Sequence, residues 1–475
     1  MIKWATCFGL RRFEINFALL KEVFCMPNAY ETNTNQGMNL FEAIAMLENA
    51  KTVEELAKLL KIIRETYENA WAIILAGGRG SRLPIAGSIP KQFAPKFDGV
   101  TFIQDVTKAI SKSIKPSHII VVVTNEEQKE FAIKQLTPYG VPSTNVVVFD
   151  PHWGYVAVMA MACHYVYELD KNATVFISPS DQHIIGVDDF AADVCKAMIQ
   201  AENGNNVMLG VKVADANIVG GCGNAVYDSH QRGPVYDIVR FVEKPLKKGG
   251  MEAVKKLLLD DNSVVNTGFY ALKAKNLCEA YPKEALEIKL KEFYEEGSEA
   301  TDLGINPEGM MEKLQMRLMI GQFGWLDCGT LEAYYEIQRK TPNHHNASIG
   351  EVTRYECLDS LFVSSTEGIH LYANYIQQKL AAIAFVSKTG DLDIAVIAMN
   401  QSQEVGKVTD FFEKGQRASY SYNSENCCVV PSNISKNTRV AFLGVQNIFV
   451  YANRLDNGDI NVNISANGSC LYTKD

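Results

Sequence analysis

Between residues 71 and about 340, short apolar runs alternate with longer amphipathic ones. The strand-like runs include AIILAG, HIIVVVT, NVVVFD, TVFISPS and NVMLGVKV. Between them lie FIQDVTKAISKSI, EQKEFAIKQL, VAVMAMACHYVYEL and FAADVCKAMIQAE, which read as helices. This alternation constrains the chain to an α/β fold built on a doubly wound, mostly parallel sheet. Runs without a polar side fit strands covered by helices on both faces.

The flanks read differently. A length of 475 residues predicts two or three domains. Residues 25–38 are polar and turn-rich, which predicts a loop. Leu40, Ile44 and Leu47, then Leu56, Leu59, Leu60 and Ile63, have helical spacing, and Thr52 is placed to cap the second helix. Residues 1–69 are therefore expected to form a helical N-terminal extension for packing or dimerisation, ahead of a main domain over 70–342. The polar break PNHHNASIGEV opens residues 343–475, where SLFVSS, KLAAIAFV, DIAVIAM, RVAFLGV and NIFVYAN predict a β-rich domain, a β-helix or a sandwich. The lack of a strict hexapeptide repeat argues against a long regular β-helix. Packing or oligomer contact is the expected role of this region.

A net charge of −9 argues against a nucleic-acid surface, so an anionic ligand requires a local basic pocket. No apolar run reaches membrane-helix length, and charges interrupt the apolar residues near Met1, so neither a membrane nor a secretory role is expected. Eleven scattered cysteines without a CxxC predict reduced thiols and a cytoplasmic location. His152, His164, His183, His230, His344 and His345 make no HExxH or Cys₂His₂ spacing.

The chemistry concentrates in WAIILAGGRGSRLPIAGSIPKQF, where a buried strand runs into a glycine-rich turn. Such a turn lets backbone N–H groups reach phosphate oxygens. It is not a P-loop, because Gly80-Ser81-Arg82 stands where Gly-Lys-Ser/Thr is needed. Nor is it a dinucleotide loop, because Leu83 takes the place of the third glycine. Arg82 follows the turn and Lys91 returns behind Pro90. A backbone cradle with two cations suits a triphosphate, although a plain turn with solvated charges gives the same pattern.

LAGGRGSRL followed by PKQF resembles the signature of sugar-nucleotide pyrophosphorylases, and the PKQF ending is most similar to mannose-1-phosphate guanylyltransferases. The resemblance continues in order through ISPSDQHII with Asp181 and an extra Gln182 before His183, GGCGNAV with Gly223, and FVEKP with Glu243 and Lys244. VVNTGFYAL with Asn266, Thr267 and Gly268, and FGWLDCGTLEAYYE with Asp327, complete it over residues 70 to about 340. The residues after 346 resemble the start of the same family's β-rich tail.

The resemblance implies a Rossmann-like nucleotidyltransferase sheet and Mg²⁺-dependent transfer of a nucleoside monophosphate to a hexose 1-phosphate, with GTP and mannose 1-phosphate as best fits. Such transfer relies on alignment and charge neutralisation rather than a covalent protein intermediate. Leu75, Ala76, Gly77, Gly78, Gly80, Ser81 and Arg82 are the implied nucleotide-binding set. Arg82, Lys91 and Asp181 carry the implied catalytic roles, and Asp181 with Asp327 the Mg²⁺. Gly223, Glu243, Lys244, Asn266 and Gly268 are the implied sugar-phosphate residues. A nucleoside triphosphate and a sugar 1-phosphate are the expected partners; a second copy of the chain is left open.

One wall departs from the family. Its Glu-Pro-x-x-Arg-Asn-Thr-Ala-Pro segment corresponds here to FDPHWGYVAVMAMA, so Tyr155, Val156 and Ala157 replace Arg-Asn-Thr. Polar groups for reading a base are missing, and Trp153 or Tyr155 is available for stacking instead. Another base or sugar, or a non-catalytic nucleotide-sugar-binding subunit, are the competing readings.

Overall fold

β-Branched residues seed the central sheet. IIVVV and VVV form β2 (Ile119–Val123) and β3 (Val146–Val148), and both run parallel to β1 (Ala70–Leu75). β4 (Thr174–Pro179) pairs with the other edge of β1, in register from Ala70↔Thr174 to Leu75↔Pro179. The chain thus winds from β1 outward to β3 and restarts on the opposite side of β1. β5 (Gln182–Ile185) leaves the sheet. β6 (Val207–Val211), β7 (Gly223–Tyr227), β8 (Tyr236–Glu243), β9 (Ser263–Lys273) and β10 (Arg317–Ile320) complete it, in the order β3-β2-β1-β4-β9-β6-β10-β8-β7. The sheet is mixed: β9 is antiparallel to β4, β6 and β7, and β8 is antiparallel to β10 and β7. This is a computed structural model that describes residues 40–47, 49–78, 89–96, 99–295, 305–338, 345–387, 389–401, 404–414, 419–422, 424–425, 427–429 and 438–466.

Two helices precede the sheet, α1 (Leu40–Leu47) and α2 (Val53–Thr66). The Thr52 hydroxyl accepts from the Glu55 amide at 3.1 Å and caps α2, whose Leu59, Leu60 and Ile63 are buried. α3 (Phe102–Ile110) opens with a capping box between Thr101 and Gln104. α3, α4 (Glu126–Leu136) and α6 (Val187–Glu202) cover one face of the sheet, where Ala72, Ile74, Val121 and Phe176 meet Val106, Ala132 and Phe190. α5 (Gly154–Leu169) covers the other, where Ile73, Val122 and Ile177 meet Val156, Ala160 and Cys163. Successive residues of β1 thus point into different cores, as pleating requires. Each fully buried Ile or Val there contributes about 1.5–3 kcal/mol.

β11 (Gly324–Asp327) pairs with β5 in a two-stranded antiparallel ribbon beside the sheet. Beyond it, the chain alternates between a six-stranded and a five-stranded sheet. Strands Ala347–Ile349, Leu361–Ser364 and Leu380–Val386 stack in parallel in the first, and Val352–Tyr355 and Ile369–Asn374 in the second. The result is a short parallel solenoid, interrupted where Leu380–Val386 turns back antiparallel onto Leu392–Ala398. No helix among the described residues is long and apolar enough to cross a membrane.

Candidate active site

β1 and β4 are adjacent strands whose chain connections leave in opposite directions. In an open α/β sheet, the crevice beyond the carboxyl ends of two such strands is where ligands bind. The glycine turn follows β1, and Ser180-Asp181 follows β4; the Ser180 amide donates to the Leu75 carbonyl at 3.2 Å and ties the two ends together. Leu75 ends β1, and the Ala76 amide donates to the Val122 carbonyl at 2.7 Å. Gly77 lies so close to Thr124 that an added Cβ would stand 2.5 Å from its methyl carbon, so this position needs glycine. The Thr124 hydroxyl also donates to the Gly77 carbonyl at 3.2 Å. Gly80, Ser81 and Arg82 lie outside the described residues.

Lys91 begins a short 3₁₀ turn, Lys91–Phe93, and only 4% of its side chain is exposed. Its Nζ donates to Asp181 Oδ2 at 3.1 Å and lies 5.5 Å from the centre of the Phe102 ring. Burial works against the charge on this ammonium, but the Asp181 and Asp327 carboxylates outweigh it and hold the pKa above the ordinary value. Asp181 responds in kind: partial desolvation at the cleft wall pushes the pKa up, and Lys91 pulls it below the usual carboxylate value. The other oxygen, Oδ1, accepts from Gln182 Nε2 at 3.1 Å.

The β5–β11 ribbon brings in the second carboxylate. Asp327 stands opposite Gln182 in the register, next to Asp181, although 145 positions separate Gln182 from Asp327 in the chain. Asp327 Oδ2 is 3.9 Å from the Cys222 thiol. Asp181 and Asp327 open on one cleft of about 520 Å³. Two hard carboxylates on one cleft fit a Mg²⁺ ion, which takes one or two carboxylates and completes its shell with phosphate oxygens and water. Among the described residues no group of three or more His, Cys, Asp or Glu is placed to hold a metal ion.

The five sugar-phosphate candidates line this cleft too. Gly223 and Glu243 face each other across β7 and β8. Lys244 holds a left-handed backbone, φ +46°, ahead of Pro245, with its ammonium 3.5 Å from Glu243 Oε1. Asn266 is committed within the fold: its Oδ1 accepts from the Gly268 amide at 2.9 Å and its Nδ2 donates to the Tyr270 hydroxyl at 2.9 Å. Gly268 has φ +78°, and a Cβ there would stand 2.9 Å from the Pro179 ring.

The wall that lacks Arg-Asn-Thr divides into unlike parts. Trp153 is 8% exposed and packs on Phe149 with ring centres 5.6 Å apart, so it belongs to the core. Tyr155 lines the cleft and donates to the Gly268 carbonyl at 3.2 Å. Tyr155 is 38% exposed on the cleft; partial desolvation there, then Tyr270, Asp181 and Glu243, push its phenol above the ordinary pKa, so it remains a neutral donor. Gln92 was legible only as a letter of PKQF; buried at 3% exposure, it donates to the Ala76 and Gly78 carbonyls and fastens the glycine turn to the Lys91 turn. Trp325 and Cys222, both lining the cleft, carry no sequence signal beyond their neighbours' motifs.

The nucleotidyl transferase family model matches residues 71–344. Mannose-1-phosphate guanylyltransferases of Klebsiella pneumoniae and Escherichia coli are each 26% identical, over 74% of this chain and 76% of theirs. The solved Thermus thermophilus protein described as a mannose-1-phosphate geranyltransferase has the same fold, with a TM-score of 0.55 and 21% identity over 73% of this chain and 99% of its own. The glycine turn, the paired aspartates and these likenesses together make the chain an enzyme of the nucleotidyl transferase family, in the sugar-nucleotide pyrophosphorylase group.

Proposed function

We propose that the enzyme transfers a nucleoside monophosphate from GTP to mannose 1-phosphate, with Mg²⁺, releasing pyrophosphate. The observation that carries this reading is the juxtaposition of Asp181 and Asp327 on the β5–β11 ribbon, with the buried Lys91 ammonium against Asp181. The choice of GTP and mannose 1-phosphate is supported by the Klebsiella pneumoniae and Escherichia coli relatives, which are mannose-1-phosphate guanylyltransferases. A phosphate oxygen of the sugar 1-phosphate attacks the α-phosphorus, its bond forms as the bond to pyrophosphate breaks, and the leaving group carries the charge away. Asp181 and Asp327 would hold the Mg²⁺, which supplies charge neutralisation at the phosphates. Lys91 and Arg82 would neutralise the triphosphate, with the glycine-turn amides orienting it. Glu243 would accept from sugar hydroxyls, and Lys244 would meet the sugar phosphate.

The replaced wall supports a second reading of specificity alone, with the same chemistry on another base or sugar. Trp153 is spent on the core, and Tyr155 is tied to Gly268. Pyrophosphate release from four nucleoside triphosphates against several hexose 1-phosphates tests both: highest kcat/KM with GTP and mannose 1-phosphate is expected, and a preference for UTP or dTTP rejects the guanine choice. Asp181→Asn and Asp327→Asn should each lower kcat by at least about a hundredfold while circular dichroism stays native. Full activity in both variants rejects the metal assignment.

A further inference from the structure

The Asp181–Asp327 pair already holds a cation. Lys91 is 4% exposed and its Nζ lies 3.1 Å from Asp181 Oδ2, while Asp327 adds a second attraction. The backbone behind it has little freedom, because Gln92 pins the next residue to the Ala76 and Gly78 carbonyls. The ring of Phe102 borders the ammonium at 5.5 Å, and only 4% of the lysine side chain is open to water. A divalent ion approaching the same oxygens meets a fixed positive charge in a partly desolvated place, where repulsion is stronger than in bulk water. A polyphosphate alters the balance twice: its oxygens complete the ion's shell, and they offer the ammonium new acceptors.

We propose that Lys91 is the resident counter-ion of the Asp181–Asp327 pair, so that a divalent cation does not settle there alone but enters together with a polyphosphate, whose oxygens receive the ammonium. The inference rests on reading the two aspartates as the cation-holding pair. Its consequence is an order of events: the cation arrives on its polyphosphate, and the carboxylates exchange Lys91 for it.

Mn²⁺ binding, followed by electron paramagnetic resonance and by calorimetry, tests this without turnover. In the absence of phosphate, Lys91→Met should bind Mn²⁺ at least about tenfold more tightly than the unaltered protein, and Lys91→Arg, which keeps the charge, should not. Lys91→Met/Asp181→Asn should lose the gain. Lys91→Gln serves as the neutral variant if thermal melting shows the methionine variant unfolded. A neutral Lys91 variant that is folded and gains no affinity overturns the inference. Calorimetry with Mn²⁺ and inorganic tripolyphosphate separates the two claims: if Asp181→Asn and Asp327→Asn weaken that binding, the aspartate reading stands and only the counter-ion falls. If neither weakens it, the reading falls, and the inference with it.

Discussion

Asp105 shows what one carboxylate carries away from the reacting atoms. It pairs with Lys96, a lysine only 3% exposed, and His183 Nδ1 lies 3.8 Å from the same oxygen. Burial raises its pKa, but the Lys96 ammonium, with the His183 ring nearby, lowers it more, so the net value falls below 3.8. A folded-state pKa below the unfolded one means that the pair's stabilisation is fully present above pH 3.8 and is lost as the pH falls through the lowered value. Asp105→Asn leaves the Lys96 ammonium buried without its counter-charge, and is expected to destabilise by about 3 kcal/mol at neutral pH. Urea unfolding at pH 7 and again below pH 3.8 checks it: the gap between variant and parent should shrink on acidification, and an equal gap at both would refute the ion pair's role.

At the scale of elements, a joint fastens the end of β1 and the first glycines after it to the Lys91–Phe93 turn, and on the proposed reading it sets where the triphosphate would lie. Gln92 makes that joint by donating to two carbonyls, with the Gly78 bond at 3.0 Å. Gln92→Leu keeps the volume but strands the buried Ala76 carbonyl, worth about 1–3 kcal/mol when left unpaired, and frees the exposed Gly78 carbonyl from the joint. The expected outcome is a KM for the triphosphate raised about tenfold or more, with the KM for the sugar phosphate little changed; steady-state kinetics on both substrates reads this, and equal shifts would reject the joint. Sequence reading reached the strands and the Thr52 cap because each is a local pattern. It could not reach strand direction: the apolar run of β9 looks the same whether parallel or antiparallel to β4. Asp181 and Asp327 were legible as single motif letters, but their union depends on the β5–β11 register. Trp153 and Tyr155 were interchangeable as stacking candidates on paper; the turn into α5 sends Trp153 into the core and Tyr155 into the cleft.

For the whole molecule, the six-stranded C-terminal sheet is buried on both faces. One face packs on the five-stranded sheet, where Phe362, Val396 and Val440 meet Leu371, Val450 and Val462. The other packs on the region of the cleft, where Leu361, Ile383 and Ile397 meet Phe102, Leu331 and Tyr334. This second face reaches the site itself: Phe102 borders Lys91, and Cys328, in the same cluster, follows Asp327. The Cys328 thiol, its pKa pushed up to about 12 by burial, stays neutral beside the two charged groups. The Tyr334 hydroxyl donates to the Pro95 carbonyl at 2.7 Å, and Lys379 reaches Glu332 at 3.0 Å, so polar contacts fix the same junction. A chain ending at residue 342 would expose Phe102, Leu331 and Tyr334, which are 0–1% exposed here, at about 1.5–3 kcal/mol each. It is expected to aggregate. Ile397→Asn tests the junction without deletion: Ile397 lies on the face that packs toward the cleft, far along the chain from any cleft residue, and an unpaired buried amide there costs about 1–3 kcal/mol besides the lost packing. Melting temperature and Mn²⁺-supported pyrophosphate release should fall together in this variant. A lowered melting temperature with unchanged turnover at a temperature where the variant stays folded would show that the sheet supports the fold and not the position of Lys91 and Asp327.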